Sequence, residues 1–202
     1  MERGKFICVE GADKIGKTTL ALALANYLKA PKLQFPTRKG KIGQILNSFL
    51  EGSITFKNLR SSHYLFSIDR WEMQDKIKEY LDNGTTIIVD RYNMSGYVYT
   101  VCQNQAAKSW AKNADQGLIL PDVYIVVHDP DPEALALRNE SSVSNERYEK
   151  ADFQKKVNTQ FVWEAYMSRY GIPTLCVETS TDFKDENKLM RIVQLIEQVS
   201  CE

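Results

Sequence analysis

Glycine, four residues, glycine, lysine, threonine is the spacing of Gly11-Ala12-Asp13-Lys14-Ile15-Gly16-Lys17-Thr18. The two glycines free the backbone to turn consecutive N–H groups inward around phosphate oxygens. Lys17 supplies a point charge that reaches the outer phosphates of a triphosphate, and the Thr18 hydroxyl is a hard oxygen suited to Mg²⁺. Context completes the pattern. The apolar run Phe6-Ile7-Cys8-Val9 precedes it as a strand, and a Leu/Ala-rich helix follows, so the stretch matches a P-loop in full. The helix aims its positive end at the same anion. Asp13 and Lys14 are the unexpected residues, one charge of each sign inside a loop built for phosphates.

Other residues point to a second ligand. The strand-like run Thr85 to Val89 ends in Asp90-Arg91. Asp90 at that end can order the water around a metal ion, orient Arg91, or form a plain structural pair with it. Arg38 follows Gln34-Phe35-Pro36-Thr37, where Pro36 stiffens the turn. Its guanidinium can clamp a phosphate with two bonds, or be an ordinary solvated loop arginine. Phe66 and Arg70 are one helical turn apart and share a face. Together they can stack on a base and donate to its carbonyl edge, or be a core aromatic beside an exposed arginine. Gly96 allows a ligand close to the backbone, and Tyr99 is either a sugar-pocket wall or core. A guanine-reading Asn-Lys-x-Asp stretch has no counterpart, since Asn113-Ala114-Asp115 is too short and lacks the lysine.

The elements that must position these groups alternate. Strand-length apolar runs cover 5–10, 32–35, 86–90, 123–128 and 174–178. Helical spacing fills 19–29, the face Ile42, Ile45, Leu46 and Phe49, a long segment from about Asn58 to Asn83, and residues 152–169 and 185–199. Runs of such continuous apolar character read as strands buried on both faces. The expectation is one α/β domain over 1–202, a parallel sheet covered by helices, with ligands at the carboxyl ends of the strands.

Composition sets bounds. Lys plus Arg and Asp plus Glu are 26 each, which gives no support for general nucleic-acid binding. The four cysteines are far apart and without His-rich partners, so zinc is not expected. Cys8 and Cys176 read as reduced core thiols, which favours a reducing compartment. The N-terminal residues enter the first strand without a signal-like apolar region, and no stretch is long enough for a bilayer. The expectation is cytoplasmic or nuclear residence, with no membrane partner.

Taken together the chain resembles the thymidylate kinases of the P-loop nucleoside monophosphate kinase superfamily. The resemblance rests on Gly11 to Thr19, Phe35-Pro36-Thr37-Arg38, Leu65 to Glu72, Val89 to Gly96, Asp115 to Asp122 and Glu146-Arg147-Tyr148-Glu149. It implies a five-stranded parallel sheet in order 2-3-1-4-5, with a mobile lid at about 137–148. It implies transfer of the ATP γ-phosphoryl group to dTMP, giving dTDP, with Mg²⁺ at Thr18 and Asp90. Lys14, Lys17, Asp90, Arg91 and Arg138 would be catalytic. ATP would touch Gly11, Asp13, Lys14, Ile15, Gly16, Lys17, Thr18 and Thr19, with Arg138 and Arg147 from the lid. The acceptor dTMP would touch Asp13, Phe35, Arg38, Phe66, Arg70, Arg91, Ser95, Gly96, Tyr99 and Tyr148. Tyr99 would sit under the deoxyribose, where a 2′-hydroxyl clashes. A homodimer is implied by analogy. Departures are Lys14 where relatives often carry an arginine, a slightly long lid, and Asp69 where Asn is usual, beside Arg70 and able to pair with it. Another monophosphate kinase, a deoxynucleoside kinase and a non-catalytic nucleotide-binding module are the alternatives.

Overall fold

Five short strands pair into one wholly parallel sheet: β1 (Phe6–Glu10), β2 (Lys32–Gln34), β3 (Ile87–Asp90), β4 (Val123–His128) and β5 (Thr174–Glu178), in the order β2-β3-β1-β4-β5. The expected fold class and strand order are therefore observed. In this computed structural model residues 2–131, 133–135, 146–167 and 171–199 are described. Parallel strands need long crossovers, and helices supply them. They are α1 (Lys17–Tyr27), α2 (Gly40–Leu50), α3 (Leu59–Trp71), α4 (Gln74–Asp82), α5 (Asn93–Gln103) and α6 (Ala151–Tyr166), and a last helix, α7 (Glu186–Val199), follows β5. Two short 3₁₀ turns, Gln105–Ser109 and Asn113–Asp115, follow α5. Helix α1 packs on β1 and β3, and α6 on β4 and α5.

Burial on both faces holds for the inner strands only. Every residue of β1 and β3 is buried, whereas β2 and β5, at the two edges, are partly open. Cys176 on β5 is exposed and is not the core thiol expected, because an edge strand lacks a neighbour to cover it; Cys8 on β1 is buried. The expected helix over 58–83 is two helices, broken at Glu72-Met73 where Met73 N–H returns to the Arg70 carbonyl at 3.2 Å. Helix α2 also turns differently. A Cβ on Gly43 would stand 2.6 Å from the Arg38 backbone, so α2 lies close against that loop and buries Gly43, Leu46, Phe49 and Leu50. Ile45, expected on the inner face, is 40% exposed. Helix α5 was not anticipated.

What places α5 is a carboxylate from another element. Glu10, fully buried at the end of β1, accepts from Tyr92 N–H at 2.8 Å and Ser95 N–H at 3.0 Å, and also from the Ser95 hydroxyl. These donors lie in the first turn of α5, which has no side-chain cap of its own. Orphan N–H groups there need an acceptor, and the helix dipole favours an anion. Burial raises the Glu10 pKa; the bonds from Ser95 and Tyr92 and the charge of Arg91 oppose that rise.

Replacing Glu10 with Ala should strand these donors and cost about 3 kcal/mol or more, while Glu10→Gln, which keeps one acceptor oxygen, should cost about 1 kcal/mol. Thermal unfolding would show falls of roughly 6–12 °C and 2–4 °C. Equal losses for the two variants would contradict the capping role.

Candidate active site

The cradle follows β1. Gly11 has φ 141°, and a Cβ there would stand 2.2 Å from the Val127 carbonyl oxygen; Gly16 takes φ 93° at the start of α1. Neither position accepts a side chain without strain. Helix α1 has no side-chain cap and no acid in its first turn, so its leading N–H groups face the loop as an anion site. Lys17 is buried and donates to the Ala12 carbonyl. Burial, and next the charge of Arg91, push its ammonium down to about 7. The Thr18 hydroxyl donates to Asp90 at 2.7 Å. Thr19 is exposed beside it, and Ile15 is wholly buried, so Ile15 offers a ligand only its backbone.

Beside the cradle is a chamber between the sheet edge and helices α2, α3 and α5. Every residue expected on the acceptor side lines it: Asp13, Phe35, Arg38, Phe66, Arg70, Arg91, Ser95, Gly96, Tyr99 and Tyr148. Arg91 spans both regions. It donates to the Gly11 carbonyl at 2.9 Å and to Ser95 Oγ at 3.2 Å, pairs with Asp13, and lies 5.3 Å from the Tyr99 ring centroid. Burial works against its charge, but Tyr99 and the carboxylates of Asp13, Asp90 and Glu10 raise its pKa, so the guanidinium stays ionised. Burial would raise the Asp13 carboxyl in turn, yet Arg91 and Lys17 hold it below its ordinary value. Of the readings open for Asp90, the observed partner is Thr18, with Lys32 at 3.8 Å; the bonds that hold Arg91 come from elsewhere.

Further out, Arg38 makes a two-pronged pair with Glu146 at 2.9 and 3.0 Å, and Lys14 pairs with Glu149 at 3.0 Å. Lys14, Arg38 and Arg91 all take positive φ, at 61°, 55° and 67°. Such a conformation costs of order 1 kcal/mol or more in an L-residue and is held only where neighbours over-determine it. For Arg38 the holder is Asp69, which accepts from Thr37 N–H at 2.8 Å and from the Thr37 hydroxyl at 2.6 Å. The expected Asp69–Arg70 pair is thus corrected. Arg70 is buried and bonds Asp115 through Nε at 3.1 Å and Nη2 at 2.8 Å. Consecutive helical residues point to different sides.

Arg138 and most of the expected lid fall outside the described residues. Arg147 is described. It donates to the Phe49 and Ile54 carbonyls at 3.0 Å each and lies 4.3 Å over the Phe49 ring, bracing the chamber wall. Sequence reasoning missed Gln154. Fully buried on α6, it accepts from Asp13 N–H and donates to the Asp13 carboxylate, each at 2.7 Å, and also donates to the Tyr148 carbonyl at 2.7 Å. A polar residue between Phe153 and Val157 on a helical stripe was the available signal. Glu10 and Glu146 were missed as well.

A parallel sheet with a P-loop at the end of its central strand, and an arginine-bearing chamber joined to it, defines a P-loop nucleotide-binding protein with two adjoining sites. The thymidylate kinase family model matches residues 9–182. The chain is 33% identical over 208 residues to the thymidylate kinase of Dictyostelium discoideum, covering 96% of this chain and 91% of that protein. To the human thymidylate kinase it is 35% identical over 159 residues, covering 76% and 73%. The solved structure of thymidylate kinase from Candida albicans superposes with a TM-score of 0.82 at 29% identity, over 97% of this chain and 92% of that one. The chain belongs to the thymidylate kinase family.

Proposed function

We propose that the chain transfers the γ-phosphoryl group of ATP to dTMP, giving ADP and dTDP. The observation that carries this is the chamber. It has an aromatic and a guanidinium, Phe66 and Arg70, for a base, and two more guanidiniums, Arg38 and Arg91, for an acceptor phosphate beside the cradle. A kinase acting on a sugar hydroxyl has no use for two arginines aimed at an acceptor phosphate. Tyr99 would lie under the deoxyribose.

Phosphoryl transfer asks mainly for alignment and charge neutralisation. A phosphate oxygen of dTMP forms the new bond to Pγ as the bond from Pγ to the bridging oxygen breaks, its electron pair leaving with ADP. Lys17 and the α1 N–H groups hold the donor phosphates, and Arg91 holds the acceptor phosphate while tied to the cradle at Gly11. Lys14, released from Glu149, neutralises the group in flight. Arg38 exchanges the Glu146 carboxylate for the acceptor phosphate, since a carboxylate fills the same planar fork. Mg²⁺ fits Thr18 and Asp90, two hard oxygen donors 2.7 Å apart. With two protein oxygens, such an ion would take its remaining ligands from water and phosphates. When bound, Mg²⁺ neutralises charge on the donor phosphates.

Among the described residues no helix is long and apolar enough to cross a membrane. We place the enzyme in the cytoplasm and infer a homodimer. Tyr64, Ile68 and Trp71, 41–43% exposed, form an apolar stripe on α3 at helical spacing. Sedimentation should give twice the chain mass; a monomer at micromolar concentration would contradict the pairing.

An ADP-release assay with dTMP, thymidine and other nucleotides tests the reaction: dTMP should support turnover and thymidine should not, and the reverse would overturn it. Arg38→Ala should raise KM for dTMP about 10- to 100-fold, the loss of a charge-assisted bond, and change KM for ATP by less than about threefold. Equal effects on both substrates would remove Arg38 from the acceptor side. The depressed Lys17 pKa has its own signature. Above about pH 7 the free enzyme has given up that proton, and bound phosphates restore it. Calorimetry of ATP binding in buffers of different ionisation enthalpy should show uptake approaching one proton at pH 8 and little at pH 6. No uptake at pH 8 would contradict it.

A further inference from the structure

His63 lines the chamber, is 2% exposed, and has no role in the reaction described above. Both ring nitrogens are engaged. Nε2 stands 2.7 Å from the Ala111 carbonyl oxygen, and Nδ1 2.8 Å from Thr100 Oγ1. A carbonyl only accepts, so Nε2 carries the hydrogen. Burial first, and then the charge of Arg70, hold the imidazole below its ordinary pKa and keep it neutral at neutral pH. Nδ1 is then a lone pair, and the Thr100 hydroxyl must spend its single proton on it. What Thr100 has left for any other partner is lone pairs.

Thr100 is 4% exposed and lines the same chamber as Arg70. Asp115 takes Nε and Nη2 of Arg70. That leaves Nη1 as the nitrogen Asp115 does not hold; the guanidinium lies over Gly96, where a Cβ would stand 2.7 Å from Nη2 and 3.1 Å from Nη1. A fixed donor and a fixed acceptor thus line one chamber.

We propose that His63 is a positioning residue for acceptor selection: by taking the Thr100 proton it makes that hydroxyl an obligate acceptor beside the Arg70 donor, so the chamber matches a carbonyl next to a ring N–H. Thymine presents that edge at O4 and N3. Cytosine presents the opposite, an amino group beside a bare ring nitrogen, and meets donor against donor and acceptor against acceptor. This inference rests on the reading that a pyrimidine monophosphate occupies the chamber. It concerns the hydrogen-bonding edge alone.

Two measurements test it on the full chain. Long-range ¹H–¹⁵N spectra of the ligand-free protein resolve the imidazoles of its two histidines, and His128→Gln assigns them. His63 should be the neutral Nε2–H tautomer at pH 7.5 to 8; the Nδ1–H tautomer or a charged ring there would overturn the proposal. The second is a double-mutant cycle read as the ratio of kcat/KM for dTMP over dCMP. Thr100→Val and His63→Phe should each lower the ratio about 10-fold or more, the scale for leaving one buried polar edge mismatched. Combined, they should lower it no further than Thr100→Val alone. His63→Asn, which keeps an acceptor near the Nδ1 position, should retain more of the ratio than His63→Phe. Multiplicative loss in the double variant, or equal loss of both substrates with the ratio unchanged, would make His63 merely structural and sink the proposal. Should His63→Phe not fold, the spectra, Thr100→Val and His63→Asn still decide. Failure of the wild-type chain to use dTMP would overturn the functional reading, and the tautomer would stand or fall separately.

Discussion

A buried carboxylate at the end of the central strand ties the two halves of the site together. Glu10 ends β1 one residue before the cradle and accepts from the first turn of α5. A helix start without its own cap needs an acceptor, and a buried anion without donors is costly. Each solves the other's problem. Arg91 lies at the same junction, with its N–H on the Val9 carbonyl at 2.9 Å and its guanidinium on Gly11. The parallel register that sets Val9 against Asp90 puts the strand ends level. Cradle and acceptor chamber therefore share one wall, and displacement of Glu10 would move both.

Charge is organised in the same spirit. Each basic group expected to meet phosphate faces an acid: Arg91 and Asp13, Arg38 and Glu146, Lys14 and Glu149. Isolated charges in such partly buried places would be costly, and ion pairing lowers that cost without adding much net stability. The pairs are also the right kind to exchange. A carboxylate and a phosphate ask the same geometry of a guanidinium, and the phosphate carries more charge. The two glutamates flank Arg147-Tyr148, and that segment is fastened to the chamber wall through Arg147 on Phe49 and Ile54. Asp13 sits where the cradle meets the chamber and is held in place by Gln154 and Arg91. The acid and base that looked out of place in the cradle are the points at which it meets the second site.

Much of this was legible in the residues. Gly11, Gly16, Lys17 and Thr18 form a local motif whose geometry follows from backbone freedom and charge, and five apolar runs gave the strands to within about a residue or two. What stayed hidden depends on partners distant in sequence. Arg70 is open to a base-pocket or an exposed reading, and the Asp115 that buries it stands 45 positions later. Asp69 was expected beside Arg70 but faces Thr37. The break at Glu72-Met73 carries no Gly or Pro to mark it, and the rotation of α2 is set by Gly43 meeting the Arg38 backbone. Helix α5 holds Tyr97, Val98, Tyr99, Thr100 and Val101, strand-like residues whose propensity is overruled by burial and by Glu10.

An acceptor phosphate at Arg38 would take over a guanidinium that Glu146 now holds. A crystal structure with dTMP bound tests this exchange most directly. The phosphate should lie between Arg38 and Arg91, with Glu146 released from Arg38 and the base against Phe66. An Arg38–Glu146 pair still intact, with the nucleotide seated elsewhere, would contradict it.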